Sequence, residues 1–260
     1  MKKIVFASLI GLFSVFVGIA IAQALVFIPA QVAPSGVSIS VPDVAVNNSP
    51  ALEPLEPGTL EKIVFIHYAN GKIVANATAP TCYKLLGVKW KSLPVSYVVN
   101  PEVEAIVSGA IFSGNETWDV ATSKELFNDN YSLDTTANWD SDYPDGRNEY
   151  SMGNYPQDGV IAVTVVWSGV PLGSKGRQII DFDVMFDTDF IWGDAATSTS
   201  AVMDLQNIAV HESGHGVGFG DIYSSSCSEV TMYGYSNYGE TKKRTLERPD
   251  IIGLQKMYGL

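Results

Sequence analysis

His211-Glu212-Ser213-Gly214-His215-Gly216-Val217-Gly218-Phe219-Gly220-Asp221 is the stretch that organises the rest of the chain. On a helix, residues four apart share one face a turn apart, so both imidazoles can reach one ion. Neutral imidazole is a natural zinc ligand, and two of them leave room for a third ligand and a water. Glu212, beside the first histidine, projects towards that water and can take a proton from it and pass one on to a leaving amine. Gly218 falls where the helix should end, and a glycine there can adopt positive φ. The resulting turn would bring Asp221 round to face the histidines. The plain alternative is an amphipathic helix with two solvated histidines, Asp221 acting as a cap or as a hydrogen-bond partner of His215. Against it, the chain has three histidines and two of them are here. Glycines at 214, 216, 218 and 220 also make a poor helix, each costing up to ~1 kcal/mol inside one.

Composition sets the surroundings. The 260 residues are 46% hydrophobic and 17% charged, which describes a globular chain with ample core. The formal charge is −12, and the basic cluster Lys242-Lys243-Arg244 is too short to make a phosphate-binding face, so no nucleic acid is expected. Lys2 and Lys3 precede an apolar run from Ile4 to Ala22 closed by Ala20-Ile21-Ala22, the pattern of an export signal over 1–22. Its length also allows an uncleaved anchor, so membrane association is expected only if that segment is retained. Either way a secreted or cell-surface location follows. Cys82 and Cys227 fit an oxidising compartment and most simply form one disulfide, worth ~4 kcal/mol on the chain-entropy argument. The alternative is a Cys82 thiolate masking the metal.

Prolines at 29, 34, 42, 50, 54 and 57 make residues 23–80 read as an extended pro-segment or linker. Within it, Lys62–Tyr68 and Lys72–Ala75 flank Asn70-Gly71, a hairpin signal over 62–75. The compact domain is expected over 81–260. In it, Leu93–Val99 reads as a strand, and Pro101–Ser123 as a helix with proline in its first turn. Residues 128–158 read as a loop region with at most short strands. Gly159–Trp167 and Gln178–Phe186 read as strands, the second alternating apolar residues against Asp181 and Asp183. Helices are expected over about Val202–Val217 and Arg248–Met257. A mixed sheet with a few helices means α/β or α+β.

The central segment resembles the metzincin zinc metalloprotease signature, His-Glu-x-x-His-x-x-Gly-x-x-ligand followed by a methionine turn. Thr231-Met232-Tyr233-Gly234-Tyr235 is similar to that turn, with Met232 as the apolar floor beneath the metal. Trp90–Pro101, Asp181–Phe186 followed by Trp192, and Asp250–Gly259 resemble segments of the matrixin branch. The resemblance covers about 170 residues from Cys82 onwards. It implies an α+β zincin domain with a twisted mixed sheet, an active-site helix, a Met-turn and a C-terminal helix. It also implies a zinc-dependent endopeptidase, a monomer acting on protein or peptide substrates. One zinc would be held by His211, His215 and Asp221, with Glu212 as general base and acid. Most metzincins have a third histidine where this chain has Asp221, as the snapalysin group does.

Two further departures matter. The matrixin structural zinc needs several histidines and only His67 remains, which is read as a hairpin surface residue. The family's cysteine-centred latency motif is missing. Calcium is a second candidate ion, with Asp140, Asp142, Asp145 and Asn148 around Gly146 offering the oxygens it prefers. By resemblance, substrate would lie extended along an edge strand, taken as Gly159–Trp167, and Tyr233 to Lys243 would shape a pocket, with Tyr233 and Tyr235 in it. The competing reading is a catalytically weak surface binding or envelope protein on the same fold.

Overall fold

A computed structural model of the chain describes residues 38–40, 58–70, 81–171 and 176–260. The apolar run 4–22, most of the proline-rich stretch and the expected second hairpin arm, 72–75, lie outside the described residues. Among the described residues no helix is long and apolar enough to cross a membrane.

In chain order the strands begin with β1 (Ser38–Ser40), β2 (Leu60–Ala69), β3 (Lys84–Leu85), β4 (Val98–Val99), β5 (Ser132–Leu133) and β6 (Glu149–Gly153). They continue with β7 (Val160–Gly169), β8 (Gln178–Asp187), β9 (Trp192–Gly193), β10 (Met203–Asp204), β11 (Phe219–Gly220) and β12 (Tyr235–Ser236). The α-helices are α1 (Pro101–Ile106), α2 (Ala110–Asp119), α3 (Leu205–Gly216) and α4 (Arg248–Tyr258). The main sheet runs β1-β2-β7-β8-β6-β4-β5, with β12 also beside β2. Only the β2–β7 and β7–β8 pairs are antiparallel, so the sheet is mixed and the fold α+β.

Every residue of β7, Val-Ile-Ala-Val-Thr-Val-Val-Trp-Ser-Gly, is buried, as suits a β-branched run covered on both faces. One apolar layer joins the sheet to α2 and α3 through Ile161, Phe182, Phe186, Ile111, Trp118, Ile208 and Val210. The other face carries a smaller cluster around Val64, Val163, Val165 and Trp167.

The structure corrects several readings. The helix expected over 101–123 is two, because Val107 is extended and Gly109 takes φ 73°. Glu104 Oε1 fastens that break by accepting from Gly109 N at 2.9 Å and Ser108 Oγ at 2.7 Å. The active helix starts at Leu205, since the Asp204 side chain accepts from Asn207 N at 2.8 Å and ends the extended stretch there. The strand expected over 93–99 is regular only at Val98–Val99, with an isolated bridge from Val95 to Phe127. The strand read over 178–186 forms as β8, with Asp181 and Asp183 on it fully buried.

Leu60–Ala69 takes a place that its local pattern did not indicate. This stretch, assigned by sequence to the segment ahead of the catalytic domain, is a ten-residue strand inside the main sheet, flanked by β7 on one side and by β1 and β12 on the other. β7, expected to offer a free edge, is therefore paired along both of its edges.

Candidate active site

Helix α3 positions the site because its two ends are tied down. Its N-terminus has the Asp204 cap. At its C-terminus Trp90 Nε1 donates to Gly216 O at 2.8 Å and Tyr258 Oη to Val217 O at 2.9 Å, satisfying carbonyls that a helix end leaves open. Gly218 then takes φ 108°, and a Cβ there would stand 2.5 Å from Val88 O. Glycine is required on both counts. The turn returns the chain through β11, which pairs with β3, and delivers Asp221 to the histidine face.

The three side chains converge. Asp221 Oδ1 lies 3.1 Å from His211 Nε2 and 3.5 Å from His215 Nε2. The imidazole rings stand at 89° to one another with centroids 4.9 Å apart. Each ring's orientation is fixed from behind, His211 Nδ1 on Thr231 O at 2.7 Å and His215 Nδ1 on Phe219 O at 2.9 Å. With Nδ1–H donating to a carbonyl, Nε2 is the lone-pair nitrogen and points into the site. Tyr223 Oη donates to Asp221 Oδ2 at 3.0 Å and so leaves Oδ1 turned inward. Among the described residues His211 Nε2, His215 Nε2 and Asp221 Oδ1 have no hydrogen-bond partner although all three are buried. Buried acceptors facing one another without a donor are costly unless a cation joins them. Two imidazole nitrogens and a carboxylate oxygen are a donor set that zinc takes in tetrahedral sites, with one position left open. The residues fit the ion.

Burial pushes the His215 imidazole down to about 3 and lowers His211 as well, keeping both neutral as ligands must be. Asp221 is held down at about 2, burial being outweighed by the facing His215 and His211 imidazoles and by the Tyr223 hydroxyl. Glu212, on the same helix, is fully buried, and burial pushes it up to about 8 against the opposing bond from Thr164. Its Oε2 accepts from Thr164 Oγ1 at 2.5 Å and its Oε1 lies 2.9 Å from His67 Nδ1.

Met232 is fully buried under the helix, and a Cβ on Gly214 would stand 2.3 Å from its Sδ. The Thr231 amide donates to Asp250 Oδ2, which also accepts from Glu247 N as part of the α4 capping box, both at 3.0 Å. Asp250 thus locks the methionine turn to the last helix, a role sequence did not reveal. Tyr233 is buried, and Tyr235 packs edge-on against Tyr233 and Tyr223 with centroids 5.7 and 5.2 Å apart. The short basic run proves not to be a patch. Lys243 is fully buried with Nζ on Tyr233 O, Tyr235 O and His67 Nε2, and Arg244 pairs with Asp194 and Asp204.

His67 overturns its reading as a surface residue. It is 1% exposed and bonded to Glu212, and its ring centroid lies 4.1 Å from that of His211. Phe65, two residues earlier, stacks on His215 with centroids 3.8 Å apart and planes 5° apart. The two-residue period of β2 was the available signal, since it puts Ile63, Phe65 and His67 on one face. Cys82 and Cys227 form a disulfide, which excludes a Cys82 thiolate on the metal in this state.

A second acidic group forms where β6 and β8 meet the 134–148 loop. Ligand oxygens of Asp140, Asp145 and Glu149 lie within 4.8 Å of one another. In β8, beside β6, Asp181 Oδ1 and both Asp183 oxygens are buried with no hydrogen bond among the described residues. Burial and the neighbouring carboxylates push Asp183 up to about 10 and Asp181 up to about 7.

A mixed sheet, a helix presenting two histidines and a glutamate, and a methionine packed beneath it define an α+β domain of the zincin type. The chain belongs to the matrixin family, whose profile matches residues 100–259. Over 83 residues it is 37% identical to neutrophil collagenase of Homo sapiens, covering 32% of this chain and 16% of that protein. It is 39% identical over 79 residues to metalloendoproteinase 1 of Glycine max, covering 29% of this chain and 25% of the relative. With metalloendoproteinase 2-MMP of Arabidopsis thaliana the identity is 34% over 104 residues, 40% of this chain and 25% of the other. The chain therefore spans a quarter or less of the length of these curated relatives.

Proposed function

We propose that this chain is an exported zinc-dependent endopeptidase in which His211, His215 and Asp221 hold the metal and Glu212 moves the proton. The observation that carries the reading is the set of three buried, partnerless donor atoms turned towards one another, one residue along the helix from a buried carboxylate. Bound there, zinc supplies the Lewis acidity that polarises a peptide carbonyl and brings the pKa of water near neutrality.

The protein side of the reaction is set by this chain's own groups. Thr164 holds Glu212 Oε2, so Oε1, the oxygen that faces His67, is the one that would accept the proton from water and hand it to the departing amine. Burial raises the affinity of Glu212 for that proton, so its transfer is better matched to neutral pH than an exposed carboxylate would be. Tyr223 and the carbonyls of Thr231 and Phe219 fix the three ligands, which keeps the donor set from collapsing when substrate enters. Asp221 in place of a third histidine adds negative charge to the site. Its Oδ1 facing both imidazoles supports the reading of Asp221 as the third ligand.

Export is supported by the Cys82–Cys227 bond, since disulfides persist in oxidising compartments. Calcium is the natural occupant of the Asp140, Asp145, Glu149, Asp181 and Asp183 group, whose oxygens are the ligands it takes.

Glu212→Gln is the direct test. Zinc content by elemental analysis stays at one per chain, while hydrolysis of an unfolded protein such as casein falls by about three orders of magnitude or more. Turnover at the parental rate would remove Glu212 from the proton-transfer role.

A further inference from the structure

We propose that Lys243 sets the substrate class of this site, selecting peptides with an aspartate or glutamate immediately after the bond that is cut. The inference rests on the endopeptidase reading above and names its preferred substrate. Three observations carry it.

Lys243 is a fully buried cation to which no carboxylate is paired. Lysine is almost never buried completely without such a partner. Among the described residues no carboxylate lies within ion-pair distance of its Nζ. Glu240, Asp221 and Glu212 act on it only from further away. Burial pulls the ammonium down to about 8, which still leaves it mostly charged at neutral pH.

Secondly, that charge is held in place and aimed. Lys243 sits in the single-turn helix Lys242–Arg244, whose backbone is fixed to the start of α3. Lys243 N donates to Asn207 Oδ1 at 2.7 Å, and Arg244 Nε donates to Asp204 Oδ1 at 2.8 Å. An ammonium has three protons to place. Two go to Tyr233 O and, at 3.0 Å, Tyr235 O, carbonyls in the chain just after Met232. The third is directed at His67 Nε2, 3.2 Å away, on a ring that burial keeps neutral. The other nitrogen of that ring lies 2.9 Å from Glu212 Oε1. A single imidazole therefore spans from the ammonium to the oxygen proposed to move the proton.

Thirdly, the chemistry decides which substrate residue can reach the ammonium. Glu212 hands its proton to the departing amine, and that amine is the backbone nitrogen of the residue after the cut bond. A group one side chain away from Glu212 is therefore within reach of that residue's side chain. A carboxylate taking the place of the ring gives the ammonium a charged partner where it now has a neutral one. Charge-assisted bonds of this kind are roughly twice as strong as neutral ones. An apolar side chain there leaves a desolvated cation unpaired, and a basic one sets two cations side by side.

The test is a cleavage profile of the zinc-loaded protein on a peptide library made from a denatured proteome, read by mass spectrometry. Aspartate and glutamate are expected to be enriched at the position after the cut. Two synthetic peptides carrying one such site, and differing only in Glu or Gln there, are expected to differ in kcat/KM by at least about tenfold. Lys243→Gln brings that ratio to about one, by slowing the Glu peptide far more than the Gln peptide. Loss of a merely structural strut would slow both peptides alike. Lys243→Arg keeps the charge on a longer arm and retains the acidic preference, shifted from Glu towards Asp.

A parental profile without acidic enrichment overturns the proposal, as does a Glu-to-Gln ratio that survives in Lys243→Gln. Where Lys243→Gln gives no cooperative thermal transition, Lys243→Arg decides. A shift towards Asp then supports the assignment, and an unchanged balance of Asp and Glu overturns it. Absence of any cut by the zinc-loaded protein removes the endopeptidase reading and the preference built on it. Cuts without acidic preference remove the role of Lys243 alone.

Discussion

Gly214 shows how little tolerance the site has at the scale of single side chains. It lies between the two histidines, and the space a methyl group would need is filled by Met232 Sδ at 2.3 Å and Trp118 Cζ2 at 2.6 Å. Trp118 cannot yield, because its Nε1 donates to Val210 O at 2.8 Å on the same helix. Alanine in a helix interior gains about 1 kcal/mol over glycine, while forcing a carbon into a filled core costs about 1–3 kcal/mol. Overpacking wins here because both neighbours are fully buried. Gly214→Ala is therefore expected to lower the thermal midpoint, by about 2–4 °C for each net kcal/mol in a domain of this size. A higher midpoint in differential scanning calorimetry would show that the methionine floor is softer than described. Much of this scale was legible in sequence. The spacing of His211, Glu212 and His215, the glycine turn and Met232 all mark local chemistry that a linear reading can reach. Asp250 and Thr164 were not legible, because each acts on a residue brought near by folding, Thr231 and Glu212, while Tyr223 is a local neighbour of Asp221 whose hydroxyl carries no pattern of its own.

Among the elements, β8 diverged most instructively from its pattern. Alternating apolar and acidic residues predict one dry face and one wet face. In the structure the acidic face of β8 is buried, with Asp183 paired in register with Glu149 of β6. Carboxylates are almost never buried without a partner, and these sit beside Asp140 and Asp145. Calcium would offset the repulsion by binding only the folded state. With zinc saturating throughout, millimolar calcium is expected to raise the thermal midpoint by several degrees, and Asp183→Asn to remove most of that rise. A midpoint unmoved by calcium would mean the group stays protonated and dry. The split of the 101–123 helix at Gly109 was likewise hidden, since its apolar spacing continues across a break fixed by Glu104.

For the molecule as a whole, the fold class followed from the mixture of strands and helices, and the matrixin resemblance from motifs spread over the C-terminal two thirds. What a linear reading could not supply was the place of Leu60–Ala69. Its apolar-rich run Lys62–Tyr68 beside Asn70-Gly71 suggested one arm of a local hairpin. The strand's actual partner, β7, lies some 100 residues further on and was itself read as a free edge. Pairing at that distance is set by burial of Phe65 and His67 against the metal-binding face, which no local signal announces. All of these readings depend on one ion at one place. Diffraction from zinc-loaded crystals at the zinc absorption edge tests it most directly. The account predicts a single anomalous peak about 2 Å from His211 Nε2, His215 Nε2 and Asp221 Oδ1. A peak elsewhere, or none among those three atoms, would contradict it.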